Sequence, residues 1–223
     1  MWTLLFDIDG TLIRTQGVGM GAMGQAVVEH YGKTNIPEIR VHGCTDRGIV
    51  DELFTKLDID PESDHCGFMQ TYFDLLKTAL KKQGGEVLPG VMELLEELNA
   101  HPNVVLGLLT GNAKRAAEIK LDHFGLREFF LFGGYGDDHS DRNDVAAQAA
   151  GAAREFLKGK FDGSKVWVIG DTQNDIRCAR SIGAKVIAVE TGGDSREILA
   201  QKSPDLLFED LTEVSDWVSS LKN

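Results

Sequence analysis

The feature that most constrains the fold of this 223-residue chain is an alternation. From about residue 87 onward, the short apolar runs VVLGLL (104–109), FFLF (129–132), KVWVI (165–169) and KVIAV (185–189) alternate with amphipathic stretches such as VMELLEELNA, AKRAAEIKLDHF and NDIRCARSI. Strands that read as near-continuous hydrophobic runs are buried on both faces, and the helices between them supply the crossovers a parallel sheet requires. WTLLF at residues 2–6 joins the sheet as a further strand. The pattern predicts an α/β fold, a parallel sheet between two layers of helices.

Residues 16–86 break the alternation. They carry helical patterns (MGQAVVEHYG, DRGIVDELFTKL, FMQTYFDLLKTALKK) and no comparable buried strand, which predicts an α-helical insertion. Gly17 and Gly19 on one side and QGGEVLPG on the other are its expected joints, since Gly and Pro punctuate elements. The division is therefore a core of 1–15 and 87–223 with an inserted helical domain of 16–86.

The first strand runs into FDIDGT (6–11). Residues i and i+2 of a strand project to one side, so Asp7 and Asp9 share a direction, which is repulsive without a cation. Asp-Gly-Thr is also ordinary turn chemistry. A calcium loop starting at Asp7 fails, because Leu12 and Val18 stand where it needs Gly and Glu. In open parallel sheets function sits at the carboxyl ends of strands. Those ends carry Asp7 and Asp9, then Thr110-Gly111-Asn112, then the loop ending in Asp141-Arg142, then Gly170-Asp171 with Asp175. The carboxylates of Asp7, Asp9, Asp171 and Asp175, with the Thr110 hydroxyl and the Arg142 guanidinium, on one rim suit a hard divalent cation such as Mg²⁺ completed by a substrate phosphate. Thr110 can donate to phosphate, Gly111 permits close backbone approach, and a helix beginning near Asn112 would aim N–H groups at an anion. Thr and Asn there also suit a plain helix cap.

DIDGT, LLTGN and VIGDTQNDIRCARSIGAKVIAVETGG resemble three of the four signature motifs of the haloacid dehalogenase superfamily, in the subgroup of phosphoglycolate phosphatases and β-phosphoglucomutases. The resemblance implies a Rossmann-like three-layer core with residues 16–86 as a cap domain, and a Mg²⁺-dependent phosphatase acting on a small phosphorylated metabolite. It implies Asp7 as the nucleophile that becomes an aspartyl-phosphate and Asp9 as the acid/base. The metal would be held by the Asp7 carboxylate, the Asp9 carbonyl and Asp171, supported by Asp175. Thr110 and Gly111 would bind the phosphoryl group, with Gly10 and Asn112 beside it. The third motif departs from the family, whose lysine is missing from GDDHSDRNDVAAQ. Arg142 is the candidate replacement, since Arg keeps the charge and can grip phosphate at two points. A surface Arg paired with Asp141 or Asp144 is the alternative. The cap would select the substrate, through Arg47, Arg14, His42 and Lys33; the alternative for Arg47 is a side chain that faces water on a helix capped by Thr45 and Asp46.

Rivals remain. A phosphomutase of the β-phosphoglucomutase kind shares every motif. A dehalogenase is disfavoured by Asp9, an acid that halide departure does not need, and no residue motivates a catalytically idle binding protein. GMGAMG (19–24) is a literal G-x-G-x-x-G, but no strong strand ends at its first glycine, as a dinucleotide site requires. The net charge of −12 opposes a nucleic-acid partner. Cys44, Cys66 and Cys178 lack C-x-x-C spacing and the apolar start is broken at Asp7, so neither a zinc site nor a membrane anchor is expected. The expectation is a cytoplasmic protein, a monomer or weak homodimer.

Overall fold

The computed structural model describes residues 1–60 and 63–221. β1 (Trp2–Phe6) and the short β2 (Ile13–Arg14) lead into three helices, α1 (Val18–Tyr31), α2 (Asp46–Leu57) and α3 (His65–Gln83). After β3 (Glu86–Val87) the alternation begins: α4 (Val91–Ala100), β4 (Val104–Leu109), α5 (Lys114–Phe124), β5 (Gly133–Gly134) and α6 (Arg142–Leu157). It continues through β6 (Val166–Gly170), α7 (Gln173–Ser181), β7 (Lys185–Val189), α8 (Arg196–Gln201), β8 (Leu206–Phe208) and α9 (Ser215–Val218).

Among the described residues the main sheet has six parallel strands in the order β5-β4-β1-β6-β7-β8. The two faces divide by strand periodicity. Leu4, Phe6, Leu106, Leu108, Trp167 and Ile169 pack with Leu94, Leu95 and Leu98 of α4, whereas Leu5, Leu109, Val166 and Val168 pack with Val145, Ala149 and Ala179 of α6 and α7. No helix among the described residues is long and apolar enough to cross a membrane.

α1–α3 form the inserted cap around Met23, Val27, Leu53, Phe54, Phe68 and Leu76, and this cluster continues onto Ala113, Ala116 and Ile119 of α5. The entering and leaving chains pair as an antiparallel ribbon, Ile13 opposite Val87 and Arg14 opposite Glu86. The cap thus joins the core through a two-strand strap. Gly17 and Gly85, with φ of +83° and +150°, make the bends beside it. Gly19 is no joint: with Gly21 and Gly24 it lies inside α1, so the G-x-G-x-x-G is helix and not a strand-ending turn.

One strand expectation needs correction. FFLF is not itself a strand; Phe129 ends a 3-10 turn and the paired residues are Gly133 and Gly134. The backbone already bonds to β4 at Leu131 and Phe132, and Gly134 then packs so tightly on α6 that a Cβ there would sit 2.3 Å from the Val145 carbonyl. The apolar run precedes the strand because the strand itself has no room for side chains. β8 shows no period in three residues and was not expected.

Candidate active site

β1 lies between β4 and β6, and the chain crosses from one side of it to the other after β5, which leaves a crevice at its carboxyl end. The parallel register sets Phe6 level with Leu108 and Ile169, so the loops after all three strands open at one edge. Asp7 and Asp171 come from two of these loops. Asp175 arrives on the first turn of α7, where it closes a capping box: its Oδ2 accepts from the Thr172 backbone N–H at 2.9 Å and hydroxyl at 2.7 Å. The three buried carboxylates each offer an oxygen within 4.8 Å of the others. Asp171 accepts from the Thr11 hydroxyl at 3.0 Å and the Gly193 N–H at 2.6 Å. Gly10, at φ +83°, is needed here, because a Cβ would lie 2.5 Å from Asp171 Oδ2; its own N–H is spent on the Ile13 carbonyl.

Arg142 begins α6 and turns inward. Its side chain is only 3% exposed, with Nη2 3.0 Å from Asp7 Oδ2 and also in contact with Asp175 Oδ1. Asp141, the partner proposed for a surface Arg, instead caps α6 and pairs with Arg177. Burial raises the Asp7 pKa to about 6; Arg142 opposes this and Asp175 adds to it. Burial, then Asp175 and Asp7, push Asp171 well above the carboxylate range. Burial works against the Arg142 charge, but Asp175 and Asp7 outweigh it and hold that pKa well above its usual value. Three buried carboxylates against one guanidinium leave an excess of negative charge, and an all-oxygen donor set of this kind fits a hard cation.

The Asp9 side chain points elsewhere. Its Oδ2 accepts from Lys120 Nζ at 2.6 Å and Asn112 Nδ2 at 2.7 Å, and Lys120 also donates to Asn112 Oδ1 at 2.6 Å. The carboxylate of Asp9 is therefore no part of the acidic cluster, and any metal contact from this residue falls to its backbone carbonyl. Lys120 stands outside every sequence motif, yet the sequence carries a signal for it. Ala116, Ala117, Lys120 and Leu121 lie on the buried face of α5, and a lysine on such a face needs a partner.

The remaining candidates separate. Thr110 is fully buried, its Oγ1 accepting from the Asn112 N–H at 3.2 Å and Nδ2 at 2.9 Å, which leaves its hydroxyl proton to donate. The start of α5 is not an open anion site, because Asp46 takes the Ala113 N–H at 2.8 Å and Asp137 takes the Lys114 N–H at 2.7 Å. Arg47 is turned to its own helix, 2.9 Å from Asp51, and is absent from the cavity wall. Lys33 is absent from it too; Arg14 and His42 line it, Arg14 already bonded to Glu86 and the Thr191 carbonyl.

The cap is closed on the core. The Asp46 N–H donates to the Gly111 carbonyl at 2.7 Å and Asn174 Nδ2 to the Gly43 carbonyl at 2.9 Å, while a Cβ on Gly111 would fall 2.0 Å from the Cys44 carbonyl oxygen. Between cap and core lies a cavity of about 490 Å³ over Asp7, Asp9, Asp171 and Arg142, partly open to solvent and walled on the cap side by Met20, Met23, Val41, Ile49 and Tyr72.

Comparison with known proteins matches this arrangement. Phosphoglycolate phosphatase of Synechococcus elongatus is 29% identical over 230 residues, covering 99% of this chain and 99% of that one. A hydrolase from Pseudomonas syringae superposes with a TM-score of 0.71 at 20% identity, covering 99% of both chains. CbbY from Rhodobacter sphaeroides, solved in complex with phosphate, gives 0.68 at 20% identity and 96% of both. The sequence profile of the haloacid dehalogenase-like hydrolases spans residues 4–189, from β1 through the cap to the end of β7. A match that takes in the whole carboxylate-bearing edge together with the cap settles the family: this chain belongs to the haloacid dehalogenase-like hydrolases.

Proposed function

We propose that the chain is a Mg²⁺-dependent phosphatase that hydrolyses a small organic phosphate monoester through an aspartyl-phosphate at Asp7. The observation that carries this reading is the pairing of Asp7 with Arg142 at 3.0 Å beside the buried carboxylates of Asp171 and Asp175, at the floor of a cavity between core and cap. Asp7 and Asp171, with the Asp9 carbonyl, would hold the metal, and Asp175 would support them. Bound there, Mg²⁺ supplies charge neutralisation for phosphate and carboxylates alike. Arg142 screens Asp7 from the anionic substrate and stabilises charge on the transferring phosphoryl group, assisted by the Thr110 hydroxyl. Asp7 attacks phosphorus as Asp9 delivers a proton to the departing alcohol. Asp9 then takes a proton from the water that hydrolyses the acyl phosphate.

Residues 16–86 act in this reading as the cap that encloses the leaving group. Among the described residues the cap contributes no Lys or Arg to the cavity wall, which favours a phosphatase over a mutase that must grip a second phosphate. The relationship to a phosphoglycolate phosphatase along the full chain supports the same choice. All three cysteines are unpaired, as suits a reducing cytoplasmic setting. The test is phosphate release across a panel of phosphorylated metabolites in Mg²⁺ and in EDTA. Turnover should require the metal, and Asp7→Asn should abolish both turnover and covalent phosphate. Equal rates in EDTA, or covalent phosphate on another residue, would overturn the assignment.

A further inference from the structure

We infer that Lys120 is the positioning residue for Asp9, holding its carboxylate where it hands a proton to the departing alcohol. The inference rests on the reading of Asp7 and Asp9 given above. Asp9 has a side chain 42% exposed to the cavity and takes no part in the acidic cluster, so neither core packing nor a metal held by its neighbours' carboxylates fixes its rotamer. What fixes it is a clamp. Lys120 Nζ and Asn112 Nδ2 both hold Oδ2, at 2.6 and 2.7 Å, and are joined to each other at 2.6 Å. Among the described residues no hydrogen bond is made to Oδ1, which leaves that oxygen for the reacting group.

The surroundings of Lys120 argue against a packing role. It is 4% exposed, on the stripe of α5 where Ala113, Ala116 and Ile119 join the cap's apolar cluster, and an uncharged side chain would fill that space without desolvating an ammonium. The cap also covers it: a Cβ on Gly19 would be 3.7 Å from Nζ and 3.9 Å from the Tyr72 hydroxyl. A short, charge-assisted bond whose ammonium is buried is stiffer than a pair exposed on both sides. The two aspartates of the DxD motif therefore have separate cations, Arg142 for Asp7 and Lys120 for Asp9. In the step concerned the phosphorus–oxygen ester bond breaks as the Asp7 oxygen–phosphorus bond forms, and the proton passes from Asp9 to the alcohol oxygen.

The experiment compares kcat/KM for an alkyl phosphate and for p-nitrophenyl phosphate, in Mg²⁺, for wild type and variants. This ratio covers steps only up to loss of the leaving group, and p-nitrophenolate departs without needing a proton. Lys120→Met should cut kcat/KM for the alkyl ester by about 10²-fold and for p-nitrophenyl phosphate by much less, a selective loss that misfolding cannot produce. Asn112→Ala should shift the ratio in the same direction, and Lys120→Arg should restore part of it. Parallel losses on both esters, or none on either, would overturn the inference. Should Lys120→Met fail to fold, Lys120→Gln answers the same question. A wild-type protein inactive on both esters overturns the phosphatase reading itself and the inference with it.

Discussion

The guanidinium of Arg142 shows how much one side chain's burial alters expectations. On an open rim its loss would touch activity alone, but it lies between Asp7 and Asp175, and its removal leaves those carboxylates buried without their cation. Breaking a buried pair on one side typically costs about 3–5 kcal/mol. Arg142→Ala should therefore lose most activity and also unfold at distinctly lower denaturant in the absence of Mg²⁺, whereas Arg142→Lys should recover part of both; urea titration alongside phosphate release reads the two effects. Asp46 offers a pH test. Burial raises its pKa to about 6, with Lys120 and the Ala113 N–H opposing. A carboxyl whose folded pKa exceeds its unfolded value near 3.9 binds more protons when folded, so its contribution to stability falls as pH rises from about 4 to about 6. Asp46→Asn keeps an acceptor for Ala113 and abolishes that slope. The variant should gain on wild type by on the order of 2 kcal/mol across this window in metal-free buffer. Parallel stability curves would exclude the assignment.

At the scale of elements, the decisive contact is between the start of α2 and the turn before α5. Gly111 admits it, because the Cys44 carbonyl occupies the space a Cβ would need and the Gly111 carbonyl takes the Asp46 N–H at 2.7 Å. Gly111→Ala should hold the cap slightly open. Displacements of about 1 Å at a reacting site can cost 10²-fold, so kcat/KM should fall by at least about 10-fold. The Cβ would meet the Cys44 carbonyl first and the Arg142 Nη1 at 3.1 Å next, both at the cap–core contact, and the melting temperature should move little. A wild-type kcat/KM in this variant would show that cap closure is unimportant to turnover. The strap of β2 and β3 is the element that lets the cap move as a unit, since it links cap to core at a single place.

At the scale of the whole molecule, part of the negative charge is buried, where it is most costly. Asp7, Asp171 and Asp175 share one buried space with a single guanidinium, so a divalent cation should stabilise the fold as well as serve the chemistry. At 100 times its Kd a ligand adds about 2.7 kcal/mol, worth roughly 5–10 °C in a domain of this size. Mg²⁺ should raise the Tm of the wild-type protein by that order. Asp171→Asn should largely lose the increment, and an equal increment in both proteins would place the cation elsewhere.

The sequence by itself determined the alternation that becomes the sheet, the helical insertion and the strand ends from which Asp7, Thr110 and Asp171 emerge. These depend on local period and on the rule that loops after parallel strands share an edge, both of which are written within a few consecutive residues. The tertiary structure decided what those residues touch. Lys120 reaches Asp9 across 111 positions, and Arg142 reaches Asp175 across 33. Asp46 blocks the start of α5, which from the sequence was either an anion site or a plain helix cap, and Arg47, one residue further on, turns to Asp51 of its own helix. The contacts of Lys120, Asp46 and Arg47 follow from how the cap docks and which face α5 turns toward it, and that of Arg142 from the packing of α6 on α7. No local pattern carries that information, because a helix stripe specifies that a side chain is buried and only the docked partner specifies against what.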